Sequence, residues 1–331
     1  AYDQLVGPGY EGSAVAIQPS TGKILAMASN PGYNPNDLMG DSAEDVWASL
    51  QEQEGQPLVN HAGAETLPPG SIFKIITAAA GLNNGFNPSS TLTGSNVITL
   101  PDTVTELTNY ANQKCNGQDA VTLQTAFALS CNTAFVEMSE QLGADELRKY
   151  AKAFGVGENY DLGVSTSAGT LGDLPDGAAT AQSAIGQRDV TMTALQAAVM
   201  AGTVANKGTR MQPYLVNRIT DAQMKDIRTT KPKKADQAVN EETAATLTDL
   251  MYASERSSAG YDGNGFASKT GTAEHGEGLA PHVWYVAFDP ERDIAVGVVV
   301  KNGGNLGESA TGGKVSGPIG RAILRAYQGE Q

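Results

Sequence analysis

The chain has 331 residues, 40% hydrophobic and 18% charged, with a net charge of −14. That is an ordinary globular composition, long enough for one large domain or two subdomains around a cleft. The acidic balance, broken only by the short cluster Lys231-Pro232-Lys233-Lys234, argues against nucleic acid as a partner; no apolar run approaches the roughly 20 residues that cross a bilayer, and His61, His275 and His282 lack metal-site spacing. No cofactor and no metal are expected. The chain opens in a polar segment without an initiating methionine or a signal peptide, so a processed or truncated protein is expected.

Residues 13–17 and 24–29 are short apolar strands joined by Gln18-Pro19-Ser20-Thr21-Gly22-Lys23, which has turn chemistry and predicts a hairpin. A helix over 43–51, capped by Asp41 or Ser42, follows the irregular segment 30–36. Pro69-Gly70 then halts the chain, and the run from Ser71 to about Asn83 reads as helix. From there to about residue 180 the pattern is mostly helical, with runs over 122–129, 133–142 and 144–154 and a Gly-rich stretch from 157 to 179. A buried helix over 193–206 precedes a candidate edge strand at 214–220 and a helix over 241–253. Strands over 265–272, 283–288 and 294–300 are linked closely enough to pair antiparallel, and a helix over 316–327 ends the chain. A lone hairpin is unstable, so the first is expected to join this late sheet. The predicted fold is α/β, of the α+β kind: an antiparallel sheet packed with helices, from about 1–60 and 181–331, with an inserted mostly helical subdomain over about 61–180.

Three motifs stand where chemistry can be built. Ser71 and Lys74 in Pro69-Gly70-Ser71-Ile72-Phe73-Lys74 fall one helical turn apart, placing a hydroxyl beside an amine that can take its proton if held neutral. The spacing alone recurs about once by chance in a chain this long; Ser20-Thr21-Gly22-Lys23 repeats it, but in a turn with no helix behind it. The ordinary reading of Ser71 is a helix cap. Ser130-Cys131-Asn132 breaks two helical runs and offers a hydroxyl and an amide that each donate and accept. Lys269-Thr270-Gly271-Thr272-Ala273 ends a strand: Thr270 and Thr272 share a face, Gly271 leaves room for a ligand along the strand, and Lys269 suits a carboxylate. Cys115 and Cys131 can close a loop of about 15 residues, worth roughly 3 kcal/mol in the chain-entropy model; two free buried thiols are the alternative.

The trio Ser-x-x-Lys, Ser-x-Asn and Lys-Thr-Gly, in that order, is the signature of penicillin-binding proteins and class A β-lactamases. The chain resembles the transpeptidase domain of class B penicillin-binding proteins, and most of all their shorter actinobacterial members. The hairpin Ala14 to Met27, Asn34-Pro35-Asn36, Ile185-Gly186-Gln187 with Thr191 to Gln196, and Lys269 to Glu274 extend the likeness over about residues 12–328. One departure is Asn60-His61-Ala62, where the family often has Asn-Arg-Ala.

That resemblance implies a serine transpeptidase fold and a D,D-transpeptidase that crosslinks peptidoglycan stem peptides ending in D-Ala-D-Ala and is acylated by β-lactams. It further implies that Ser71 is the nucleophile, Lys74 its base and Ser130 the proton donor to the leaving amine. Asn132 would bind the substrate amide and orient Lys74; Lys269, Thr270 and Thr272 would hold the carboxylate; the backbone N–H groups of Ser71 and Thr272 would form the oxyanion hole. A glycan polymerase and division or elongation machinery would be partners, and the extracytoplasmic membrane face, through an N-terminal helix not in this chain, the location. The rivals are a β-lactamase, for which Glu146 and Glu158 are the candidate water activators, a D,D-carboxypeptidase, and a β-lactam-sensing receptor domain.

Overall fold

Residues 294–300 read Ile-Ala-Val-Gly-Val-Val-Val, apolar at every position, a pattern that suits a strand covered on both faces. In the computed structural model, which describes residues 1–276 and 278–327, that is its situation; residues 328–331, the end of the expected domain, lie outside the described residues. Five strands form the main sheet: β1 (Gly12–Ile17), β2 (Ile24–Asn30), β3 (Ala267–Ala273), β4 (His282–Asp289) and β5 (Ile294–Val300), in the order β3-β4-β5-β1-β2. Every neighbouring pair is antiparallel, with Ser13 opposite Val299 and Lys269 opposite Val286. The N-terminal hairpin thus joins the last three strands, as expected.

Six longer helices matter for the site: α1 (Lys74–Leu82), α2 (Leu123–Ala128), α3 (Asn132–Ala153), α4 (Ala194–Ala205), α5 (Glu241–Ser257) and α6 (Ser316–Ala326). Strand alternation sends Val15, Ile17, Ala295 and Val299 into one core shared with α4, and Ala14, Ala16, Val296 and Val298 into a second shared with Ile319, Ile323 and Leu324 of α6. Helix α4 begins at a capping box in which Thr193 and Gln196 satisfy each other's backbone N–H. It lies directly on β5, where a Cβ added to Gly297 would sit 2.5 Å from Ala198 N and 2.6 Å from Ala194 O.

The structure departs from expectation in several places, among them a helix over Gly177–Ala184 that no run anticipated. The segment expected to be mostly helical also holds two short strand pairs, Thr91–Thr93 with Ala120–Thr122 and Val97–Thr99 with Glu106–Thr108, each too brief to show a period of two. The two helical runs beyond Asn132 meet at Gly143, whose φ of 73° and ψ of 171° break the helix without a loop. The strand expected over 214–220 does not edge the main sheet. Only Arg218–Thr220 is extended, paired with Asp226–Thr229 in a separate ribbon, and Tyr214 touches the sheet through a single bridge to Lys23.

Because α4 rests on the bare backbone of β5, Gly297→Val should overpack the interface. We expect a loss of about 1–3 kcal/mol or more, read as a lower melting temperature.

Candidate active site

Pro68 and Pro69 lead into a 3₁₀ turn over Gly70–Phe73, and the α-helix proper begins only at Lys74. Ser71 therefore sits on a tight turn ahead of α1, not in the first turn of an α-helix. Close backbone contacts hold that turn. Gly70 N donates to Gly186 O at 2.9 Å, and a Cβ on Gly186 would fall 2.1 Å from Gly70 O. One on Gly70, whose φ is 54°, would meet Thr272 O at 2.7 Å. The space beside Gly271 that the sequence assigns to a ligand is filled by Pro69 O, Ile72 and Trp284, which a Cβ there would meet at 2.7–3.2 Å. This glycine lets the serine turn lie against β3. Ser71 and Thr272 thereby stand on two touching backbone segments.

The three motifs converge. Lys74 Nζ is 3.0 Å from Ser71 Oγ, 2.7 Å from Ser130 O, 3.3 Å from Ser130 Oγ and 2.7 Å from Asn132 Oδ1. Lys269 Nζ donates to Ser130 Oγ at 2.9 Å and to Thr270 O at 3.0 Å. Both lysines are fully buried, while Ser71, Ser130, Asn132, Thr270 and Thr272 are half-buried above them. Burial pushes the Lys269 amine down to about 7. Burial and then the charge of Lys269 hold Lys74 well below the usual lysine range.

The Lys74 contacts define a polarity. Ser130 O accepts only, and Asn132 Oδ1 is fixed as the end facing Lys74 because Nδ2 donates to Thr108 O at 3.0 Å. These two acceptors at 2.7 Å take the two protons of a neutral amine. Its lone pair is left for the Ser71 hydroxyl.

Ser130 itself is held at φ 61°, in the left-handed region that a serine rarely occupies. Cys131 is bonded to Cys115 in a disulfide, where the sequence left a bridge and two free thiols as alternatives. On the other side Asn109 Oδ1 accepts from Thr133 N at 3.1 Å, and Asn109 Nδ2 donates to Ser95 O at 2.9 Å.

Several residues that position the site carry no motif. Glu255, fully buried at the end of α5, accepts from Arg321 Nε at 2.7 Å, Tyr285 Oη at 2.9 Å, Asn264 Nδ2 at 2.9 Å and Ser268 Oγ, the neighbour of Lys269. Trp284 Nε1 donates to Pro68 O at 2.8 Å, tying β4 to the turn before Ser71. A glutamate on an amphipathic helix reads as solvated, and Thr108 acts through its backbone, so neither has a sequence signal. His61 is buried with Nδ1 3.2 Å from Glu65 and Nε2 3.0 Å from Gly55 O and Gln56 O; the Glu65 hydrogen bond raises its pKa. Glu158 pairs with Arg210 at 2.6 Å and Glu146 with Lys149 at 2.9 Å, so other partners engage both candidate water activators.

The chain is similar to known proteins over most of its length. Residues 12–325 match the family model described as penicillin binding protein transpeptidase domain. The chain is 45% identical over 329 residues to the peptidoglycan D,D-transpeptidase PbpA of Mycolicibacterium smegmatis, covering 95% of this chain and 66% of that protein. It is 42% identical over 333 residues to the M. tuberculosis protein of the same name, covering 97% and 68%. The chain thus spans about two thirds of the length of these relatives. Among solved structures, penicillin-binding protein A of M. tuberculosis superposes with a TM-score of 0.93 and 41% identity as both its ceftriaxone and its penicillin G acyl-enzyme complexes. These matches cover 97% and 98% of this chain and 74% and 76% of those chains.

A buried amine destabilises the fold most where both states hold its proton, and the cost is relieved over the pH range in which the folded chain has shed a proton that the unfolded chain still keeps. For Lys269 this applies between its folded value of about 7 and the ordinary lysine value of 10.5. Over that window the unfolded state binds more protons, so stability rises with pH. Lys269→Met should therefore be more stable than the parent below about pH 7, by on the order of a few kcal/mol. The advantage should shrink steadily towards pH 10.5, as read by denaturant unfolding across pH.

Proposed function

Since the chain belongs to the penicillin-binding protein transpeptidase domain family, we propose that it crosslinks peptidoglycan stem peptides through a Ser71 acyl-enzyme and is covalently inhibited by β-lactams. The observation that carries this reading is the neutral-amine geometry of Lys74, with two acceptors at 2.7 Å and Ser71 Oγ at 3.0 Å.

In the first half-reaction Lys74 takes the Ser71 proton as Oγ attacks the carbonyl of the D-Ala-D-Ala bond. A C–O ester bond forms, the C–N amide bond breaks, and Ser130 delivers the proton that the leaving D-alanine amine requires while Lys74, 3.3 Å from Ser130 Oγ, passes on the proton it took from Ser71 and becomes neutral again. Lys269, 2.9 Å from Ser130 Oγ, stabilises that oxygen as it gives up its proton and places positive charge under the substrate carboxylate. Thr270 and Thr272 hold the carboxylate, and the second Nδ2 hydrogen of Asn132, with Thr108 O taking the first, serves the substrate amide. The N–H groups of Ser71 and Thr272 receive the oxyanion; losing one such donor typically costs ~2.7–4 kcal/mol. In the second half-reaction an amine of a neighbouring stem peptide attacks the ester, forms the crosslinking amide and releases Ser71, with Lys74 again handling the proton.

In this reading the sheet layer and the segment over about 61–180 are two walls of one cleft. The domain works outside the cytoplasm, held at the membrane face by an N-terminal helix beyond this chain. A glycan-polymerising partner is supported by 28% identity and a TM-score of 0.82 to a chain from a peptidoglycan synthase complex that coordinates polymerization and crosslinking.

Treatment with penicillin G should add one adduct, mapped by mass spectrometry to the peptide carrying Ser71. Ser71→Ala should abolish it, and Lys74→Ala should lower acylation by at least about a hundredfold with the melting transition retained. A label on Ser20, or undiminished acylation of Lys74→Ala, would refute the assignment.

A further inference from the structure

The Ser130-Cys131-Asn132 loop is bracketed at equal spacing by two phenylalanines, Phe127 three residues before it and Phe135 three residues after it. Both rings are fully buried. The Phe135 ring lies under Lys74 Nζ, 5.5 Å from centroid to nitrogen, and the Phe127 ring lies under Lys269 Nζ at 5.8 Å. The rings touch each other, tilted at 55° with centroids 6.3 Å apart. One short piece of chain therefore supplies the hydroxyl that both amines share, the amide that orients one of them, and an aromatic floor beneath each.

We propose that Phe127 and Phe135 are positioning residues of the acyl-transfer site: their rings exclude water from the two amines, Phe135 to keep Lys74 poised as base and Phe127 to aim Lys269 at Ser130 and the substrate carboxylate. This rests on the acyl-transfer reading above. An aromatic floor acts on an amine in two opposed ways. The ring face attracts the ammonium, by about 0.5–2 kcal/mol, whereas loss of hydration disfavours it by up to 3–5 pKa units. At about 1.4 kcal/mol per pKa unit the loss of hydration is the larger of the two, and burial is the first cause that holds Lys74 well below the usual lysine range. On α1, α2, α3 and β3, the elements around the amines, the charged groups facing each other are Lys74 and Lys269 themselves, with Ser71, Ser130 and Asn132 supplying dipoles.

Opening the floor beneath Lys74 readmits water and makes the amine more basic, so a higher pH is needed to hold it neutral. Acylation by penicillin G is followed from pH 5 to 9 in the parent, Phe135→Leu, Phe135→Ala and Phe154→Ala, the last removing a buried ring at the far end of α3. The Phe135 variants should move the acidic limb of the rate profile upward by on the order of one unit, about tenfold slower acylation at pH 6. Phe154→Ala should lower the melting temperature and leave the limb in place. Phe127→Leu should raise the penicillin concentration for half-maximal acylation several-fold with the limiting rate preserved. Where Phe135→Ala does not fold, Phe135→Leu decides. A parent-like limb in the folded Phe135 variants, or a limb moved equally by Phe154→Ala, overturns the role of Phe135. An unchanged half-saturation overturns that of Phe127. Failure of the parent itself to be acylated would instead overturn the acyl-transfer reading.

Discussion

Two amines converge on one hydroxyl: Lys74 and Lys269 both reach Ser130 Oγ, at 3.3 and 2.9 Å, and both are fully buried. Two full positive charges in that volume would each lack hydration and repel the other. The energetically accessible solution is that one amine surrenders its proton. Lys74 is the better placed to do so, because its two shortest contacts are to acceptors while Ser71 offers a proton to what remains. In the proposed reaction, an arrangement costly to the fold is what lets Lys74 serve as a base near neutral pH.

Such a balance survives only if the groups do not drift, and the rigidity comes from backbone approach more than from side chains. Gly186 admits the carbonyl of Gly70, Gly70 the carbonyl of Thr272, and Gly271 the carbonyl of Pro69. Three segments far apart in sequence are thereby locked at distances that a Cβ would forbid. Behind them, Glu255 gathers Ser268, Tyr285 and Arg321, so β3 is fastened to α5, β4 and α6 one residue from Lys269. A buried glutamate with four donors around it is adequately compensated. Losing Arg321 would strand the glutamate's charge, and losing any of the neutral donors would weaken its compensation.

The parts of this legible from sequence are those that repeat a period or a motif. Strands β4 and β5 and helices α1 and α4 stand out because burial demands apolar residues at regular spacing, and the active-site serines, lysines and threonines because their chemistry demands those side chains. What stayed hidden acts by other means. Thr108 orients Asn132 through a carbonyl that every residue possesses. Glu255 looks like any helix-surface acid until the sheet closes over it. The strand pairs over 91–122 have three residues each and so no periodicity, and the ribbon at 218–229 is exposed on most positions, which removes the hydrophobic alternation that would assign its register. The bend at Gly143 replaces a loop by one residue's torsion angles.

The least relaxed residue in the site is also the most constrained. At φ 61° Ser130 pays a conformational penalty on the order of 1–3 kcal/mol, and such a torsion persists only where its surroundings over-determine it. They do so from both sides. Upstream, α2 ends at Ala128 and Cys131 N returns to Ala126 O at 2.9 Å, which closes the turn around the serine. Downstream, the bond from Cys131 to Cys115, the donation of Asn132 to Thr108 and that of Thr133 to Asn109 bind three consecutive residues to three points within 108–115. The effect is to present the carbonyl and the hydroxyl of one residue to the same amine, the first at 2.7 Å and the second at 3.3 Å. Were Ser130 free to relax to a negative φ, its carbonyl would swing away and Lys74 would lose the acceptor that fixes where its lone pair points. In the proposed reaction the strained torsion is therefore part of how Lys74 is aimed at Ser71.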